Sequence, residues 1–69
     1  MGKVIYEATK WNDGTIMDLY RKTEDGSYEE FIPRKGWESS SDAFDAFNGL
    51  IHSYGISDEE AEEYVNRLS

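Results

Sequence analysis

Ser39-Ser40-Ser41-Asp42-Ala43-Phe44-Asp45-Ala46-Phe47 is the stretch that decides the fold, because the apolar period changes there from two residues to between three and four. From it onward Phe44, Phe47, Leu50, Ile51 and Tyr54 recur at i, i+3, i+6, i+7 and i+10, one stripe of a helix over about 41–54. The serines and Asp42 are N-cap residue types, and Gly55 is the residue type that often follows a helix C-terminus in the left-handed conformation. Ser57-Asp58-Glu59-Glu60 then has the form of a capping box, in which a hydroxyl and a carboxylate each satisfy a free backbone amide. It opens a second helix over about 58–68, with Ala61, Tyr64, Val65 and Leu68 as the inward stripe.

Upstream the period is that of strands. Val4, Tyr6 and Ala8 share one face of a strand over about 3–10, and Asn12-Asp13-Gly14 supplies a turn that leads into a second strand over about 15–22. Glu24-Asp25-Gly26 repeats the turn chemistry, and a third strand over about 27–33 ends at Pro33, which cannot donate to a ladder. The expected order is β-β-β-α-α: a three-stranded antiparallel meander followed by two short helices, packed as a small two-layer α+β sandwich in one domain spanning 1–69.

Composition limits the chemistry. With no cysteine and one histidine there is neither a disulfide framework nor a Cys/His zinc site, so the apolar core has to hold the fold by itself, and homodimerisation is one further way to bury surface. The N-terminal residues lack the apolar run of a signal peptide, no segment approaches the ~20 apolar residues of a membrane span, and the expected location is cytoplasmic. Gly2 does not make a myristoylation signal, because Tyr6 stands where that signal wants Ser or Thr. No cofactor or metal is expected, since the Asp13-Gly14 and Asp25-Gly26 turns lack the twelve-residue ligand pattern of a calcium loop. Catalysis has thin support as well: no thiol is present, no serine sits in a nucleophile motif, and His52 reads as a favourable partial cation at a helix C-terminus or simply as a side chain in solvent.

Charge is the strongest functional signal. The net charge is −8, yet residues 1–40 carry eight acids against six bases while residues 41–69 carry seven acids against Arg67 alone. Helix dipoles explain part of this, since Asp58, Glu59 and Glu60 fall in a first turn. The leading functional reading is a small acidic protein-interaction module of the inhibitor, immunity or antitoxin type, docking a basic protein through Asp42, Asp45, Glu59, Glu62 and Glu63 on a helical face. The alternative is binding of nucleic acid or a phosphate ligand through Arg21, Lys22, Arg34 and Lys35 with Trp11 and Trp37. Nucleic acid is the poorer partner, because a chain of this net charge is repelled by phosphate backbones. A third reading is a small globular protein with no catalytic activity of its own. Trp11 is expected to pair across the first hairpin with an aromatic of the second strand, and Trp37 to fold back on the core.

Overall fold

The computed structural model describes residues 3–68. Its elements are β1 (Ile5–Lys10), β2 (Ile16–Lys22), β3 (Tyr28–Ile32), β4 (Gly36–Ser39), α1 (Ser41–Phe47), β5 (Tyr54–Ile56) and α2 (Asp58–Leu68). This is a small α+β domain with an antiparallel sheet and two helices, but the sheet has five strands in the order β4-β3-β2-β1-β5 where the sequence suggests three.

The two hairpins follow from one local device used twice. Trp11 N–H donates to the Thr15 carbonyl and Gly14 N–H to the Trp11 carbonyl; Thr23, Ser27 and Gly26 repeat the pattern. In each turn an aspartate accepts from the residue two further on: Asp13 from the Thr15 amide at 3.0 Å, Asp25 from the Ser27 amide at 3.1 Å. Hydrogen bonds to the ionised form, first the Thr15 hydroxyl for Asp13 and the Thr23 hydroxyl for Asp25, hold both carboxyls below their usual range.

The fourth strand depends on a turn that the sequence signals only through Pro33. Lys35 N–H closes back onto the Ile32 carbonyl at 2.9 Å, with Pro33 and Arg34 at the two central positions. Arg34 takes φ 71°, the left-handed value that a type II turn demands at that place. Trp37 then lies opposite Phe31 in an edge strand, not in a loop.

The first helix is half the expected length. Ser40 caps it, accepting from the amides of Asp42 at 3.1 Å and Ala43 at 3.3 Å. It stops at Phe47, because Gly49 adopts φ 82° and Leu50 N–H reaches back to the Asp45 carbonyl at 2.9 Å, a Schellman-type ending. Leu50 is consequently 75% exposed, and Tyr54 and Gly55 form an edge strand on β1 in place of a helix end.

The helices lie on opposite faces of the sheet. Ala8 pairs with Leu19, and both pack with Phe31, Ala61 and Tyr64 beneath α2. Tyr20 points the other way and packs with Ala43 and Ala46 beneath α1. The arrangement is therefore helix on sheet on helix, which corrects the two-layer expectation. Alanines at the contact positions let each helix approach closely, and Leu19 is the largest side chain that is fully buried. Thr9 pairs with Asp18 but Lys10 with Ile16, leaving Met17 as the extra residue of a bulge; its carbonyl receives the Tyr64 hydroxyl in a long hydrogen bond of 3.5 Å.

Tyr20 gives the fold an alkaline limit. Burial first, and then the charges of Asp18, Glu30 and Asp42, push its phenol from 10.0 up to about 12. A folded value above the unfolded one contributes stability in full below about pH 10 and loses it as pH rises through about 12. Tyr20→Phe is expected to move the midpoint of alkaline unfolding upward while leaving the melting temperature near pH 7 little changed, as circular dichroism at stepped pH will read. An unaltered alkaline profile in that variant assigns the limit to another group.

Candidate functional site

The five acids expected to share one face are divided by the sheet. Asp42 and Asp45 belong to α1 on one side, Glu59, Glu62 and Glu63 to α2 on the other. Asp42, Glu59, Glu62 and Glu63 are exposed, and Asp45 is half-buried. No single surface contains all five.

Three strand carboxylates on the α1 side of the sheet are engaged internally, whereas Asp42 of α1 itself is exposed. Glu7 accepts from the Ser53 hydroxyl, Asp18 from Thr9 Oγ1 at 3.1 Å, and Glu30 from Ser40 Oγ at 3.1 Å. The last contact joins the cap of α1 to β3. Burial raises the Glu30 carboxyl above its usual range; the Ser40 bond opposes this, while Asp18 and Asp42 add to it. These acids are accounted for by the fold.

Those of α2 are different. Asp58, Glu59 and Glu60 suit a first turn, and the Ser57 hydroxyl accepts the Glu60 amide at 3.1 Å. Among the described residues, though, no ion pair engages Glu59, Glu62 or Glu63, and the ion pair observed is Arg21 with Glu29.

The basic and aromatic set is also dispersed. Arg21 Nε lies 2.7 Å from Glu29 Oε1, and its guanidinium stacks 4.1 Å from the centre of the Trp37 ring. Lys22 Nζ sits 5.7 Å from the Tyr28 ring, and Arg34 and Lys35 are exposed in the turn before β4. Trp11 is 57% exposed at the far end of β1, five residues beyond the Tyr6 that touches Trp37, or roughly 16 Å along a strand. It does not pair with a second-strand aromatic: the residue across the hairpin from Lys10 is Ile16. Trp37 packs against the core as expected, with its ring 5.4 Å from Phe31 and 6.1 Å from Tyr6.

Two open grooves flank α2. One, of about 500 Å3, runs between Lys3–Tyr6 and Ile56–Glu59; the other, of about 350 Å3, is lined by Tyr6, Trp37, Ala61, Glu62, Val65 and Asn66. Tyr6 borders both, so they form neighbouring parts of one depression along the helix. The acids along it are legible in the sequence, whereas the meeting of Tyr6, Trp37 and Ala61 is not. The signal for Tyr6 and Ala61 was present as strand and helix periodicity, but their meeting with Trp37 depends on β4.

A further hollow of about 300 Å3 holds Glu7, His52 and Ser53. Its geometry does not build a nucleophile: Ser53 donates to Glu7, while His52 Nε2 lies 3.2 Å from Tyr54 Oη with the two rings edge to face at 5.0 Å. His52 also lies in a loop five residues past the end of α1, not at a helix terminus. Among the described residues no three His, Cys, Asp or Glu side chains are grouped as metal ligands, and no helix is long and apolar enough to cross a membrane. Compared with known proteins, the chain matches no family model, no curated protein and no solved structure.

Proposed function

We propose that this chain is a small acidic interaction module that docks a basic protein partner through the outer side of α2. The observation that carries the reading is that α2 presents the exposed carboxylates Glu59, Glu62 and Glu63 within five residues, whereas the acids of the central strands are taken up by the fold. On the α1 side Glu7, Asp18 and Glu30 each take a hydroxyl from the fold, whereas Glu59, Glu62 and Glu63 are exposed without an ion-pair partner among the described residues. A net charge of −8 adds long-range steering toward a basic surface and sets the salt dependence of the encounter. Inhibitor, immunity and antitoxin roles all require only such a surface, with no chemistry of the module's own. Binding of nucleic acid has less support, because Arg21 is already committed to Glu29 and Trp37.

The test is affinity capture with the neutralised triple variant Glu59→Gln, Glu62→Gln, Glu63→Gln against Asp42→Asn, Asp45→Asn. Three exposed contacts at ~0.5 kcal/mol each amount to about tenfold in affinity. The triple variant is expected to lose capture of the wild-type partner at low salt, as wild type itself does at high salt, while the α1 variant keeps it. Undiminished capture by the triple variant removes the α2 surface from consideration.

A further inference from the structure

The depression beside α2 brings carboxylates and aromatic rings together. Asp58, Glu59 and Glu62 supply carboxylates on the helix side, with Lys3 as the opposing cation at one end. The rings of Tyr6 and Trp37 line the part of the depression beside Glu62, together with Ala61, Val65 and Asn66. Glu59 and Glu62, at i and i+3, stand on one side of the helix about 4.5 Å apart along its axis. Side chains on one side of an extended peptide repeat every ~6.6 Å, a spacing that two flexible glutamates can meet.

We infer that this depression seats an extended arginine-bearing segment of the basic partner, its guanidinium groups paired with Glu59 and Glu62 and lying against Tyr6 and Trp37. The inference rests on the acidic-module reading and names the chemistry of what is bound. Arginine suits the site better than lysine, because a planar, weakly hydrated guanidinium both stacks on aromatic rings and pairs with carboxylates. Arg21 holds one part of the indole, so an incoming guanidinium meets the part of Trp37 that lines the groove, and Glu29 at 2.7 Å from Arg21 offsets the charge already there. Anionic ligands meet the acids of α2 instead. A second copy of the chain brings another eight negative charges to a surface that is itself acidic.

The experiment uses a Trp11→Phe background, which leaves Trp37 as the one indole, and titrates unlabelled hexa-arginine at low salt with hexa-glutamate as control. A saturable change in Trp37 emission is expected with hexa-arginine alone. Glu62→Lys is expected to weaken it about tenfold, in the range that charge reversal at a steering contact produces. Asp42→Lys, across the sheet, is expected to leave the titration unchanged, and thermal melts check that each variant is folded. If binding survives Glu62→Lys but is lost in Glu63→Lys, on α2 outside the depression, the depression is not the site although the α2 reading stands; if it is lost in Asp42→Lys, both are overturned. If hexa-arginine does not bind any folded variant, both are overturned.

Discussion

Leu19→Ala is expected to lower the melting temperature by about 15–20 °C, because it empties the one large side chain that is completely enclosed. Leu19 stands on β2 opposite Ala8, between Phe31 on the next strand and Ala61 and Tyr64 of α2. None of these neighbours can fill the space. Ala8 and Ala61 are already minimal, and the rings of Phe31 and Tyr64 are held edge to face at 6.1 Å. A cavity that cannot collapse places the loss toward the middle of the 2–5 kcal/mol range for such changes, about 3 kcal/mol. A chain of 69 residues has roughly 3–10 kcal/mol in all, so the variant keeps only a thin margin at 25 °C. Leu19→Met, which conserves volume, is expected to cost less than about 1.5 kcal/mol, and equal melting of the two variants by calorimetry shows the site to be looser than its packing indicates.

How much of this fold is legible in the sequence depends on the range of the interaction that fixes each element. The two Asp-Gly turns and α2 are set by neighbours in the chain: a carboxylate two residues from an amide, a serine three residues from a helical N–H. The turns and the start of α2 follow from these neighbours, although of the expected capping box only the Ser57 half is formed among the described residues. The first helix is misread because the apolar stripe from Phe44 to Tyr54 has helical spacing throughout, while the stop sits in Asn48-Gly49, a Schellman ending that outweighs the stripe. Strands β4 and β5 are four and three residues long, too short to display a period, and exist only because longer neighbours offer free edges.

The same distinction applies to the candidate site. Counting charges locates the acids on the helices but not the plane that separates them, since the placement of a helix above or below a sheet is a property of connections and not of composition. With α1 and α2 on opposite faces, the acidic population acquires two roles. The strand acids Glu7, Asp18 and Glu30 are drawn inward by Ser53, Thr9 and Ser40 and tie loop, hairpin and helix cap together. The acids of α2 stay exposed, Glu59 and Glu62 beside the aromatic depression.

Phe31→Ala is expected to be at least as damaging as Leu19→Ala, at about 3–5 kcal/mol, and its consequences reach the surface. Phe31 is buried on β3, where its ring meets Trp37 at 5.4 Å on one side and Tyr64 at 6.1 Å on the other. Trp37 in turn reaches Tyr6 at 6.1 Å, so four aromatic rings from β1, β3, β4 and α2 form one chain. The two edge-to-face pairs of Phe31 each contribute about 0.5–1.5 kcal/mol beyond the area they bury. Removing Phe31 breaks the chain at its centre, which loosens the edge strand β4 and withdraws the support of the Trp37 ring that lines the groove. Phe31→Leu separates the two effects: it fills most of the volume and is expected to remain folded, yet offers Trp37 no ring edge. In a Trp11→Phe background, Phe31→Leu is therefore expected to give a red-shifted Trp37 emission with a melting temperature only moderately reduced. An emission maximum identical to that of the parent shows that backbone pairing of Trp37 with residue 31, and not the ring contact, positions the indole.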